Sequence, residues 1–420
     1  VNTDWQNRDS HTLILAGSNA GKTTLFKHMI ANLLAEDCCV IVMDSQSKLI
    51  EELAHIKLEE NDLTWISPEH NLALNPFDML TDDLSERTIA NKVSLLRFVI
   101  EHLMAAELTT RQNTLFSYVC ELVLRIDGAN AETFLDVLKD PYNYADEIDK
   151  LDETAQKFFY EDLRAERGRG KGNEYDSTRG ELAYRIRALT SDVTFRRILQ
   201  SEYNTFDVYQ EMLDRKLILL DTSQAVLGDA SPTFGRLLIT QILQACYERV
   251  KNKETNRPVY FFIDEAHEYF DKTIENMVRQ ARKANVGMVL ATQDFGRADT
   301  AGITKTLTGS TSTQFAAQVD ITDARKLAPR MKTNADFLMN TPTHSFAFAT
   351  GGNNAVVIKA NVDALNAFET RSDLKKLRQV MEYHYGQENK KADAEEEADI
   401  EDEVEMSQNG DHDITPGAQL

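Results

Sequence analysis

Apolar residues follow two rhythms along this chain. Short unbroken apolar runs stand at 12–16 (TLILA), 38–44 (CCVIVMD), 216–223 (KLILLDTS), 259–265 (VYFFIDE), 286–293 (VGMVLATQ), 311–317 (TSTQFAA) and 344–350 (HSFAFAT). Runs of this length bounded by polar turns predict strands buried on both faces, as in a parallel sheet. Between most of them the apolar positions fall at helical spacing, beginning with KTTLFKHMIANLLAE directly after the first run. LTWISPEHNLALNPFDML reads as a short strand and a loop punctuated by proline. Strands alternating with helices predict an α/β fold with a doubly wound, mostly parallel sheet, whose ligands bind at the carboxyl ends of its strands.

The second rhythm holds from about Ser85 to Asp207, where long amphipathic segments such as ANKVSLLRFVIEHLMAA and TRQNTLFSYVCELVLRI carry no strand pattern. The predicted organisation is therefore an α/β domain in two parts, residues 1–84 and 208–387, interrupted by an all-helical insertion at 85–207. Within the insertion, RAERGRGKGNEYDSTRG (164–180) is too polar and glycine-rich to bury a core and predicts a loop. Residues 388–420 read as a disordered acidic tail.

Composition adds class and compartment. A hydrophobic fraction of 42% and a charged fraction of 27% are those of a soluble globular protein, and the longest apolar runs are too short to span a bilayer. The chain begins at Val1 rather than Met, so any membrane association is expected only through a preceding segment outside this sequence. Cys38, Cys39, Cys120 and Cys246 show neither metal-ligand spacing nor a disulfide framework, and Cys38 and Cys120 sit in apolar settings typical of reduced core thiols, which predicts a cytoplasmic protein, at most at the inner face of the membrane. Of the net charge of −22, residues 390–420 contribute −9, eleven acids against Lys390 and Lys391, which leaves −13 for the rest. Contact with DNA must then come from a local basic lining rather than a global field.

The first apolar run leads into AGSNAGKTT. Ala16 to Thr23 fit a phosphate loop, with Ala16 where the pattern usually has Gly. Ala16, Gly17, Ser18, Asn19, Ala20, Gly21, Lys22, Thr23 and Thr24 are the candidate nucleotide-binding residues. Backbone N–H groups point at the β-phosphate, Gly21 allows close approach, Lys22 supplies a cation between β- and γ-phosphates, and Thr23 ligates Mg²⁺. The bland alternative is a glycine-containing strand-to-helix turn with no ligand. Against it stands VYFFIDEAHEY, a buried strand ending in Asp264, which can hold Mg²⁺, and Glu265, which can orient an attacking water. VGMVLATQ ends in Gln293, placed to face a γ-phosphate. ATP and Mg²⁺ are the cofactors these residues predict, with Lys22, Glu265 and Gln293 catalytic. His267, in DEAH, is expected to have a packing or capping role. Arg279, Arg282 and Lys283 lie within about one helical turn; they are either a solvated basic face or, in a ring, the source of a cation for a neighbour's site. Arg282 is the first candidate, with Arg325 and Arg330 as rivals.

Taken together, HTLILAGSNAGKTT, VIVMDSQSKL, NPFD, KLILLDTS with FGRLLITQILQACYER, FFIDEAHEYF and RQARKANVGMVLATQ resemble the HerA–FtsK superfamily of ring-forming DNA-pumping ATPases. Within it they resemble the cytoplasmic motor of type IV secretion coupling proteins and related secretion ATPases of conjugation. The likeness runs through about residues 10 to 365. It implies a RecA-like motor with an all-helical domain inserted between its second and third strands, assembled as a hexamer around a DNA channel. It also implies that the acidic tail recruits an accessory protein, where a bare solvating role is the alternative. SNAGKTT lacks a second loop glycine common in the family, and DSQSKL replaces the usual Asp-Pro-Lys or Asp-Pro-His. The reading is an ATP-driven hexameric DNA translocase; the alternatives are a secretion ATPase powering pilus assembly or protein export, and a nucleotide-dependent ring scaffold.

Overall fold

A computed structural model describes residues 11–59, 62–78, 84–103, 107–163 and 175–386. Nine strands form one sheet: β1 (His11–Ala16), β2 (Cys39–Asp44), β3 (Leu63–Ile66), β4 (Leu217–Asp221), β5 (Val259–Ile263), β6 (Val286–Thr292), β7 (Thr311–Ala317), β8 (Ser345–Thr350) and β9 (Val356–Lys359). Their order is β3-β4-β2-β5-β6-β1-β7-β8-β9. The first seven in this order are parallel, and β8 and β9 add on antiparallel. All of β1, β2, β4, β5 and β6 is buried along its length, which is why these strands read as unbroken apolar runs.

Helices cover the sheet. Lys22–Leu33 buries Leu25, Phe26, Met29, Ile30 and Leu33, and the Phe26 ring meets that of Phe262 on β5 edge-on at 5.2 Å. The long helix Ser231–Asn252 buries Phe234, Leu237, Leu238 and Ile242. Each such side chain contributes about 2 kcal/mol of hydrophobic stabilisation before its ordering cost. Gly235 lets this helix pass beneath Tyr269, whose ring would clash with a Cβ at that position. All four cysteines are buried and free.

The described chain between β3 and β4 contains no strand. Its helices include Glu86–Leu103, Thr110–Val123, Ala131–Lys139, Asp176–Thr190 and Val193–Leu199. Capping boxes start two of them, Thr109 with Gln112 and Asn130 with Thr133, and in their core Phe77 stacks on Phe134 while Phe116 meets Phe134 at a tilt. The chain enters and leaves this block at one place. Ala73 N–H donates to Thr205 Oγ1 and Thr205 N–H to Ala73 O, each at 3.0 Å, and Asn204 Nδ2 donates to Asn75 O at 3.2 Å.

Three sequence expectations change. The helical block follows the third strand rather than the second, because Leu63–Ile66 pairs with β4 at the sheet edge. The loop expected at 164–180 ends sooner: a helix starts at Asp176, where Thr178 and Leu182 turn into the core, and 164–174 lie outside the described residues. Strand β9 is additional, an edge strand with Val356 and Val357 exposed. The acidic tail at 388–420 lies outside the described residues. Among the described residues no helix is long and apolar enough to cross a membrane.

Candidate active site

The loop after β1 has the shape its glycines require. Gly17 N–H donates to Ala317 O at the end of β7, and a Cβ on Gly17 would stand 2.6 Å from Gln318 O. Gly21 has φ 108°, left-handed backbone that favours glycine, and a Cβ there would meet His344 Nδ1 at 2.7 Å. His344, in the turn entering β8, donates its own N–H to Ala20 O at 3.0 Å, so the antiparallel end of the sheet grips the loop. The helix Lys22–Leu33 then begins with its amides facing the loop, the arrangement that attracts phosphate.

Lys22 is buried, its Nζ donating to Ala16 O at 3.3 Å and facing Glu265 Oε1 at 3.6 Å. Thr23 Oγ1 lies 3.5 Å from Asp264 Oδ2. Gln293 joins the two sides: Ser18 Oγ donates to its Oε1 at 2.8 Å, and its Nε2 donates to Glu265 Oε1 at 3.0 Å. Glu265 itself is in left-handed backbone at φ 48°, a conformation that costs a non-glycine residue about 1 kcal/mol and fixes where its side chain starts. The residues singled out in three separate strand ends thus meet at one edge of the sheet.

The electrostatics follow from burial. Burial, then the neighbouring Asp44 and Glu265 carboxylates, push Asp264 up to about 7. Burial also works to raise Glu265, but the contacts with His267, Lys22 and Gln293 outweigh it and hold its carboxyl below the ordinary value. Two residues not anticipated from the sequence complete this edge. Asp44 ends β2 and accepts from the N–H groups of Gln46 and Leu49, at 2.8 and 3.0 Å. Asp221 ends β4, opposite Asp44 in register, and accepts from Ser47 Oγ and Ser223 N–H, with burial raising it to about 6. The signal was present: CVIVMD, LILLD and VYFFID each end a buried strand in aspartate.

The residues present fit a magnesium nucleotide. The loop has glycine where backbone must come close, a buried lysine whose carboxylate neighbour is Glu265 at 3.6 Å, and a hydroxyl beside a buried aspartate. Among the described residues no three His, Cys, Asp or Glu side chains converge as a metal cage; Mg²⁺ is ordinarily held by one or two protein oxygens together with phosphate oxygens and water.

The arginines separate. Arg282 sits in the turn Ala281–Ala284 that leads into the start of β6, beside His11 at the start of β1, and is exposed. Arg279 pairs with Glu275 at 2.7 Å, and Lys283 donates to Gln280. These residues occupy the amino edge of the sheet, on the order of 20 Å from the chain's own loop, given about 3.3 Å per strand residue. Arg325 and Arg330 follow β7 and are exposed; the helix Ile321–Leu327 runs back along the sheet, and the Arg330 guanidinium lies beside Gly309, just before β7, so Arg330 stands at the amino edge as Arg282 does.

A family described as type IV secretory system conjugative DNA transfer matches residues 1–331. No curated protein sequence is significantly similar to the chain. Among solved structures, the bacterial conjugative coupling protein TrwBdeltaN70 is similar, at 12% identity and TM-score 0.58 over 85% of this chain and 86% of its own. VirB4 of Thermoanaerobacter pseudethanolicus matches at 14% identity and TM-score 0.57 over 84% and 89%. The plasmid coupling protein TrwB in complex with ADP and Mg²⁺ matches at 11% identity and TM-score 0.58 over 86% and 87%. At these identities the likeness is one of fold.

Proposed function

This chain belongs to the type IV secretory system conjugative DNA transfer family, and on that premise we propose that it is an ATP-hydrolysing motor that moves DNA as a hexameric ring. The observation that carries the reading is the convergence of Lys22, Thr23, Asp264, Glu265 and Gln293 at one sheet edge, linked by the Ser18–Gln293–Glu265 hydrogen bonds. Residues 1–84 and 208–387 are proposed as the motor domain, 85–207 as the helical insertion and 388–420 as the tail.

The roles follow from the geometry. Loop amides between Ala16 and Thr24 cradle the phosphates, Lys22 neutralises charge between β- and γ-phosphates, and Thr23 and Asp264 hold Mg²⁺. Held by Thr23 and Asp264, Mg²⁺ would supply positive charge against the phosphate oxygens. Glu265 orients the attacking water, and Gln293 senses the γ-phosphate from the next strand. A ring built head to tail sets one face of each copy against the opposite face of the next. The residue that completes a neighbour's site therefore lies away from its own loop, which fits Arg282, the first candidate, and equally its rival Arg330.

Steady-state ATP turnover with and without single- and double-stranded DNA tests the reading. Turnover stimulated by DNA is the expected result. Turnover indifferent to DNA would favour a secretion ATPase for pilus assembly or protein export, and no turnover would leave a nucleotide-dependent scaffold. The acidic tail is proposed to recruit a basic accessory protein; deleting 388–420 should leave basal turnover intact and lower partner binding, and lost turnover would overturn that assignment.

A further inference from the structure

We propose that His267 is a positioning residue that holds Glu265 ready for water, and that Glu268 and Arg297 hold His267 in turn. The proposal rests on the reading of this site as an ATPase. Glu265 has two oxygens with different neighbours. Oε1 accepts from Gln293 Nε2 at 3.0 Å and faces Lys22 Nζ at 3.6 Å. Oε2 faces His267 Nδ1 at 3.3 Å, a charge contact short of hydrogen-bond alignment, and both atoms are buried with no hydrogen-bond partner among the described residues. The far side of the ring is held as well: His267 Nε2 lies 3.2 Å from Glu268 Oε1, and Glu268 Oε2 accepts from Arg297 at 2.8 Å.

Both partners of Oε1 are residues assigned to phosphate. When Lys22 and Gln293 turn to the γ-phosphate they give up Oε1, which is then the oxygen left to accept from water. His267 belongs to neither the loop nor the sensor strand, so its contact with Oε2 survives that exchange. It becomes the one side chain fixing the direction of the carboxylate. The backbone supports this: Glu265 is set at φ 48°, and the short turn Ala266–Tyr269 is pinned by the buried Tyr269 hydroxyl, 2.8 Å from Thr222 Oγ1. The imidazole, half-buried between two carboxylates, is therefore neither core packing nor a helix cap. Holding a reacting group in line matters steeply, since a displacement of about 1 Å costs up to about a hundredfold in rate.

The experiment uses the full chain. His267→Ala should lower kcat about tenfold to a hundredfold while KM and affinity for a non-hydrolysable ATP analogue stay unchanged. His267→Asn, whose amide can reach Oε2, should recover most of the loss. Arg297→Ala, breaking an exposed pair, should cost about threefold and add nothing to His267→Ala. Spectra of the nucleotide-free protein labelled with ¹⁵N-histidine should show the His267 ring resonances moving in both Glu265→Gln and Glu268→Gln. An unchanged kcat in His267→Ala beside an active wild type would overturn the proposal, as would His267 resonances indifferent to both carboxylates. Wild type without turnover would be a failure of the ATPase reading, and the spectra would still decide whether the chain of contacts exists.

Discussion

At the carboxyl edge of the sheet, Lys22, Asp44, Asp221 and Asp264 are buried, Glu265 is nearly so, and every one of them has a named partner. At the amino edge basic groups cluster and lie outward: Arg279, paired with Glu275, and Arg282 and Lys283 are exposed, and what is buried beneath them is His11 and Arg249. A charge in a water-poor setting acts strongly on whatever replaces its partner, whereas an exposed one is screened until another surface covers it. The first edge suits a site complete in its metal and phosphate contacts. The second suits a surface that becomes useful on assembly.

Lys22→Ala removes the buried cation and should lower turnover by a hundredfold or more, at about the scale of losing an electrostatic contact to the transition state, with weaker nucleotide binding. Wild-type turnover would end the phosphate-loop assignment. Glu265→Gln should be nearly as severe for hydrolysis yet keep ATP and Mg²⁺ binding, because Asp264 and Thr23 are untouched; equal loss of binding, measured by calorimetry, would place Glu265 among the metal ligands instead.

The amino edge answers differently. Arg282→Ala should lower turnover with binding preserved, and mixing it with Lys22→Ala subunits should restore part of the activity, since some interfaces then pair an intact loop with an intact arginine. No rescue with normal assembly would count against Arg282. Beneath it, Arg249 is fully buried and donates to Ala284 O at 3.3 Å and Arg257 O at 2.5 Å, holding the turn that carries Arg282. Arg249→Met should cost about 2 kcal/mol, read from the urea midpoint, by leaving those carbonyls without a donor.

The smallest effect concerns pH. His11 Nδ1 accepts from Met288 N–H and Nε2 lies 2.7 Å from Val278 O, while burial lowers its value to about 4. Unfolded, it binds a proton near 6.5; folded, it resists until about 4. Its contribution to stability is therefore complete above pH 6.5 and is lost as pH falls through that window. Denaturation curves at pH 7 and 4.5 should converge more for His11→Gln than for wild type, and an identical pH slope in both would refute the assignment.

Much of the carboxyl edge was legible because its chemistry sits where an apolar run stops. Lys22, Asp264, Glu265 and Gln293 are each fixed by a strand end, and the parallel register brings such ends together. What was not legible depends on neighbours from afar. His344 touches the phosphate loop from more than three hundred residues away, and no local pattern announces it. Strand β9 was missed because NNAVVIKAN has no buried face to repeat: Val356 and Val357 are exposed at the sheet's edge. His267 looks bland in the sequence because two flanking carboxylates do not reveal that both turn toward one ring.

The hydrogen bonds between Ala73 and Thr205 have a consequence for how such a chain can change over time. Because the helical block departs and returns through one laced gap, the sheet experiences it as a single connection, however many residues it holds. Closing a loop costs only about 0.6 kcal/mol more for each doubling of its length. Helices other than Glu86–Leu103, which packs on Ser231–Asn252, can therefore be gained, lost or exchanged beyond that gap while the strand order and the strand ends stay as they are, provided the seam between positions 73 and 205 stays closed.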